Sequence, residues 1–248
     1  GDVLGLLVQI VCRFKNNSLG VCEASLAPVV DVVHRLLPQS WDWSGRTGAS
    51  SAQQGTTAMG SAEELREKAD LQRSYYSLLH ALCHNGLAAA LSRLPVETLQ
   101  LSMQGLVLGA SSHVDPSVRK TCVQALRALV GQWLSAAGSD SGSWEAFPGF
   151  RQWVVERVAV EACLIGIVQG GLNTQDAAVA SLLGEVAALL SAVHQQCGDG
   201  FLSAISRTGW PQHITDRLAH GLRETQDQKE LKNFLRSIIH ELQQGTHQ

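Results

Sequence analysis

The chain has 248 residues, of which 45% are hydrophobic and 17% charged. This much apolar surface excludes general disorder, because its burial offsets the entropy of ordering. Lys+Arg 19 against Asp+Glu 22 leaves −3, so no global positive field draws the chain onto nucleic acid and any such contact needs a local patch. Aromatics are 5%, and Leu and Ala dominate, which favours helices.

In chain order, residues 2–14 form an apolar helix ending near Asn16-Asn17, and residues 21–37 form the next, closing at Pro38. Ser61 and Glu64 make a capping box whose helix runs to Asn85-Gly86. Pro95 opens a helix through Leu99, Leu101, Met103 and Leu106. Asp115-Pro116 is an N-cap with proline at the first helical position, followed by a 3.6-period stripe from Val118 to Leu134. Pro148 starts a helix reaching Gly170-Gly171, and Asn173 or Thr174 caps the next, striped from Val179 to Val193. Pro211 begins a shorter helix. Asp227 and Glu230 form a second capping box before Leu231, Phe234, Leu235, Ile238, Ile239 and Leu242.

No strand is expected. Read as antiparallel pairs, the helix starts give about five units of roughly 40–47 residues, the period of HEAT-type repeats, so the fold class is an all-α helical-repeat solenoid. Helices apolar nearly all round fit a solenoid, where each helix is covered by its own pair and by both neighbours. A compact helical bundle is the structural alternative. Residues 39–60 are rich in Gly, Ser and Thr and read as a flexible inter-helix loop, and a similar insertion falls at 138–145. The run at 177–193 approaches membrane-spanning length, but Glu185 at its centre is costly in lipid. The chain opens at Gly1 inside an apolar helix, without a signal peptide, as if an N-terminal portion were missing. Cys12, Cys22, Cys83, Cys122, Cys163 and Cys197 are scattered on helical patterns, as reduced thiols are.

No Cys-x-x-Cys, G-x-S-x-G, P-loop or G-x-G-x-x-G occurs, so the chain reads as no enzyme. His80, Cys83 and His84 are the one metal-like cluster; Ala81 stands where a hydrolytic zinc helix needs Glu, and a fourth ligand is missing. Neither a metal nor a cofactor is expected. The basic residues carry more. Lys229, Lys232, Arg236 and His240 fall in one stripe of the last helix, opposite its apolar face. That apolar face is expected to cap the stack onto residues 211–224. Arg119 and Lys120 sit in the first turn after Asp115-Pro116, where amides and cations together suit a phosphate. A plain solvated face and local pairing with Asp115 are the structural alternatives.

Leu71-Gln-Arg-Ser-Tyr-Tyr-Ser-Leu-Leu-His80, Asp115-Pro-Ser-Val-Arg-Lys-Thr-Cys122, the Phe147–Trp153 segment and Leu231-Lys-Asn-Phe-Leu235 stand in a distinctive order. In that order they resemble the C-terminal region of the exportin-T family, within the importin-β (karyopherin) superfamily. The resemblance covers roughly residues 21–243. It implies a HEAT-repeat segment of a longer receptor that shuttles between nucleus and cytoplasm and exports tRNA with Ran-GTP. Ran-GTP would be gripped mainly by N-terminal repeats absent from this chain, nucleoporins are further partners to consider, and no membrane is implied. Lys229, Lys232, Arg236, Arg119 and Lys120 are the candidate tRNA-binding residues. The rival reading is a HEAT-type adaptor that binds only proteins, through apolar grooves between helices.

Overall fold

The computed structural model describes residues 2–37, 62–135, 147–170, 172–225 and 227–245. Its elements are α1 (Asp2–Phe14), a 3-10 turn (Lys15–Ser18), α2 (Leu19–Leu36), α3 (Ala62–His84), α4 (Ala88–Ser92), α5 (Val96–Ser112), α6 (Pro116–Ser135), α7 (Phe150–Trp153), a π-helical segment (Val154–Val168), α8 (Ala177–Cys197), α9 (Asp199–Ile205), α10 (Gln212–Glu224) and α11 (Gln228–Gly245). No strand occurs among the described residues.

Local chemistry explains the boundaries. The Asp115 carboxylate accepts from the Ser117 amide at 2.8 Å and Asp227 from that of Lys229 at 2.8 Å, so each satisfies an orphan donor at a helix start. Pro95 and Pro211 stand just before α5 and α10, in extended conformations that cannot continue an upstream helix. Gly198 turns the chain out of α8 at φ +50°, in the left-handed region that glycine adopts without a Cβ penalty.

These elements form an all-α helical-repeat solenoid in which α5 packs on α6, the π segment on α8, α8 on α9, and α10 on α11. One layer runs α1, α3, α6, α8, α11, each packed on the next, and the other runs α2, α5, the π segment, α9. Helix direction follows from side-chain contacts. Arg73 reaches Asp115 at 3.6 Å near one end, while Gln132 donates to the Cys83 carbonyl near the other, so α3 and α6 run parallel. Arg151 donates to the Gln196 carbonyl, which sets the π segment antiparallel to α8. Gln228 donates to the Gly184 carbonyl at 2.7 Å and Gln243 to that of Leu172 at 3.3 Å, so α11 runs antiparallel to α8.

The core is continuous through the stack and includes the fully buried Tyr75, Tyr76, Phe150 and Phe201. α8 is long and apolar enough to cross a membrane by length and composition, yet Val179, Leu182, Leu183, Val186, Leu189, Leu190 and Val193 are buried inside the stack.

Several expectations shift. The cap of α8 is Asp176, whose carboxylate accepts from the Ala178 amide at 2.7 Å, whereas Asn173 closes a preceding turn onto the Gln175 amide. The chain passes directly from Gly198 into the short helix α9. α11 packs chiefly on α8, with α10 on its other flank. Cys12 is exposed and Cys197 half-buried, while the other four thiols are buried. The loop expectations at 39–60 and 138–145, and Ser61 of the first capping box, lie outside the described residues.

Candidate nucleic-acid interface

α11 is amphipathic because Leu231, Leu235, Ile238 and Ile239 recur at helical spacing and are buried. Its basic residues divide. Lys229 is exposed at the first turn. Lys232 is half-buried, its stem lying over Gly184, where a Cβ would come within 3.8 Å of Cδ. Arg236 is also half-buried, with Nε enclosed and lacking a hydrogen-bond partner among the described residues. Lys229 and His240 are exposed, as the helical stripe implied, whereas Lys232 and Arg236 are half-buried. The latter two lean on their stems, as long cationic side chains do over apolar surface.

The second cluster divides too. The amides at the start of α6 are occupied by Asp115, and the Asp115 carboxylate also faces Arg73. Arg119 donates through Nε to the His113 carbonyl, and burial lowers the pKa of its guanidinium. Arg119 therefore ties the α5–α6 turn together. Lys120 is half-buried on the flank of α6 that also carries Gln124 and Arg127, at i, +4 and +7.

That flank leads to α8. The Glu185 carboxylate accepts from Gln124 Nε2 at 2.8 Å and faces Arg127 at 3.3 Å. Gly184, one residue earlier, receives Gln228 and Lys232 from the opposite side. A polar ridge thus crosses the layer from Lys120 and Arg127 on α6, over Gly184 and Glu185, to Lys232 and Lys229 on α11. Sequence reasoning missed Arg127, although its spacing from Lys120 carried the signal. On the far flank of α11, burial opposes ionisation of Glu241. Hydrogen bonds from His213 and Arg217 outweigh it and hold the carboxyl below its ordinary value.

The remaining chemistry is sparse. His80 and His84 stack with ring centroids 5.5 Å apart, but Cys83 is fully buried on the core side, where burial pushes its thiol up to about 12. Among the described residues, no three or more His, Cys, Asp or Glu side chains are grouped to hold a metal ion. An apolar groove of 660 Å³ lies between α5 and the start of the π segment, lined by Leu94, Leu99, Met103, Val107, Phe147 and Trp153.

A family model described as Exportin-T matches residues 2–243. The chain is 30% identical over 251 residues to Exportin-T of Arabidopsis thaliana, covering 98% of this chain and 24% of that protein. It is 25% identical to Exportin-T of Oryza sativa subsp. japonica (98% of this chain, 24% of that protein) and 24% identical to that of Dictyostelium discoideum (93% and 20%). The chain therefore spans about a quarter of the length of these relatives. No solved structure matches it. Helices from end to end and a family match over almost the same residues lead to one assignment: the chain belongs to the exportin-T family.

Proposed function

We propose that this chain is the C-terminal solenoid segment of a nuclear export receptor that carries tRNA from nucleus to cytoplasm together with Ran-GTP. The observation that carries the reading is the family match over residues 2–243. Exportin-T is a family of transport receptors and not of enzymes, and a receptor of this kind needs surfaces rather than a catalytic constellation. Ran-GTP engages mainly repeats outside these residues, and the protein shuttles between the two compartments.

Within this segment the phosphate-facing surface is the ridge carrying Lys229, Lys232 and Lys120, with Arg236 at its edge. Arg119 contributes by fixing the turn that precedes Lys120. Backbone recognition of a folded RNA needs Lys and Arg facing phosphates and 2′-hydroxyls, and a chain of net charge −3 can supply them only locally.

The test is filter binding of labelled tRNA to the full-length receptor, with and without Ran-GTP, across a salt series. Binding should require Ran-GTP and fall steeply with salt. Lys229→Glu with Lys232→Glu should weaken it and flatten the log–log slope by about two charges. tRNA binding indifferent to Ran-GTP overturns the export reading; an unchanged slope in the double variant overturns the ridge assignment alone. A protein-only adaptor is the second reading, favoured by the groove between α5 and the π segment. It predicts no RNA binding at any salt concentration.

A further inference from the structure

The two layers of the stack present different chemistry. The ridge from Lys120 to Lys229 is polar and cationic, and it belongs to the layer of α6, α8 and α11. In the other layer the groove between α5 and the π segment is apolar. Its shape has a cause. A Cβ on Gly166 would lie 2.5 Å from Ser111 Cβ and 2.9 Å from Ser111 Cα, so the last turn of α5 touches the last turn of the π segment. Towards their N-terminal ends the same two helices part. The groove fills the gap, with Val96 to Val107 on one wall and Trp153 and Arg157 on the other. The result is a wedge, with Leu99 and Met103 buried at its floor and Val96, 69% exposed, on its rim.

Length, backbone chemistry and charge together define what fits. From Val96 to Val107 the wall runs about 16 Å along the helix axis, the length of three helical turns. The floor is made of side chains without hydrogen-bonding groups, and the backbone of each wall is paired within its own helix. An extended peptide would bring N–H and C=O groups that find little beyond Gln100 and Gln104 on the rim. A helix brings no such demand, because its backbone is satisfied internally. Arg157 is the one charged side chain among the described residues lining the groove. It faces Glu161 through Nη1, and the rest of its guanidinium fork has no partner among the described residues. That fork suits a carboxylate. A nucleic-acid backbone does not fit, because one cation cannot answer a run of phosphates over an apolar floor.

We infer that this groove docks an amphipathic α-helix of a partner protein. Its apolar anchors, at i, i+3 or i+4 and i+7, seat against Leu99, Met103 and Trp153, and a Glu or Asp beside them pairs with Arg157. The helix and the RNA-facing ridge occupy different layers, so the docking is independent of whether RNA is the cargo.

Peptide selection on the full-length protein tests it. A phage-displayed library of three-turn peptides, apolar at i, i+3 and i+7 and randomised elsewhere, is panned on the parent and counter-selected on Val96→Asp. Val96 and Arg157 are exposed, so substitution at either leaves the core intact. Enriched peptides should share an acidic position. Their affinity, by fluorescence anisotropy, should fall at least tenfold with Val96→Asp and with Arg157→Glu. Changing the shared acidic residue to Lys should restore binding to Arg157→Glu, which loss of structure could not produce. Failure to enrich any peptide over Val96→Asp would overturn the inference. So would enriched peptides that lack the acidic residue and ignore Arg157→Glu, or that keep their affinity with a central proline, because the occupant would then be extended. Weakened tRNA binding in both variants would overturn it too, by making the groove an RNA surface. A parent that binds the peptides and no tRNA would refute the export reading and leave the docking site standing.

Discussion

The Tyr76 hydroxyl donates to the Gly105 carbonyl across 3.2 Å, which drives an aromatic ring from α3 into the seam between α5 and α6. One turn later Gly109 makes that seam possible. A Cβ there would lie 2.7 Å from Tyr76 Cζ and 2.7 Å from Cys122 Sγ. Gly109→Ala should therefore destabilise the fold by about 1–3 kcal/mol, the usual cost of overpacking a core. Gly131→Ala, a helix position with nothing near its added Cβ, should stabilise by about 0.5–1 kcal/mol. Urea midpoints of the two variants check the contrast; equal and small effects would refute the packing of this seam.

Phe234 lies over Gly221 and under the Arg217 guanidinium, 5.6 Å from the ring centroid, and is half-buried. Full burial would put Phe234→Ala at about 3–5 kcal/mol. Partial burial should keep the loss below about 3 kcal/mol. Thermal unfolding of the variant measures it.

Charge reversal along α11 should be uneven. Lys229→Glu at an exposed site should stay within about 0.5 kcal/mol of the parent. Arg236→Glu places a carboxylate where Nε is enclosed, and should lower stability by more than Lys229→Glu does. Chemical denaturation of the two single variants decides, and equal stabilities would contradict the half-burial of Arg236.

Stability should fall on acidification below the ordinary histidine pKa of 6.5. Burial lowers the pKa of His34, His80 and His113 in the folded chain; His84 beside His80 adds to this, while Asp31, Glu185 and Asp115 oppose it. The unfolded chain thus binds more protons between the two pKa values, and stability rises with pH through that window. Their contribution is full above 6.5 and is lost as pH drops through the folded values. Urea midpoints from pH 7.5 down to 5 should decline, and His80→Gln should shallow the decline. A flat profile would contradict the burial of these rings.

Thiol reactivity should sort by depth. Denatured protein should titrate six thiols. In the native state Cys12 should react first and Cys197 more slowly, while Cys22, Cys83, Cys122 and Cys163 are protected. Burial pushes the thiols of Cys83 and Cys163 up to about 12, which removes the reactive thiolate. Melting should be indifferent to reductant.

The helices most legible in the sequence are those with chemical punctuation. Asp115-Pro116, Pro95 and Pro211 mark starts that the structure places within a residue or two. α4 and α9 escaped because neither has a side-chain cap and each is too short to show a period. The α8 cap was misread because Asn173, Thr174 and Asp176 are all good capping residues, and only the Ala178 amide selects between them. For the basic stripe, a helical wheel places Lys232 and Arg236 away from the apolar face. It does not reveal that Gly184 opens a groove on α8 for the Lys232 stem. Arg119 shows a related limit: its partner is a backbone carbonyl, at His113, and sequence patterns display no backbone acceptors.

Glu185 also bears on the life of the chain before it folds. α8 meets the length and apolarity of a membrane-crossing helix, and while it emerges from the ribosome α9 and α11, which help cover it, are not yet synthesised. A carboxylate at its midpoint costs a few kcal/mol in a bilayer, which weighs against capture by insertion machinery. Once folded, the same carboxylate bonds Gln124 and faces Arg127, and becomes a tie between α6 and α8. Glu185→Leu should then do its greatest harm during biosynthesis, diverting nascent chains toward the membrane at a stage that equilibrium unfolding never samples.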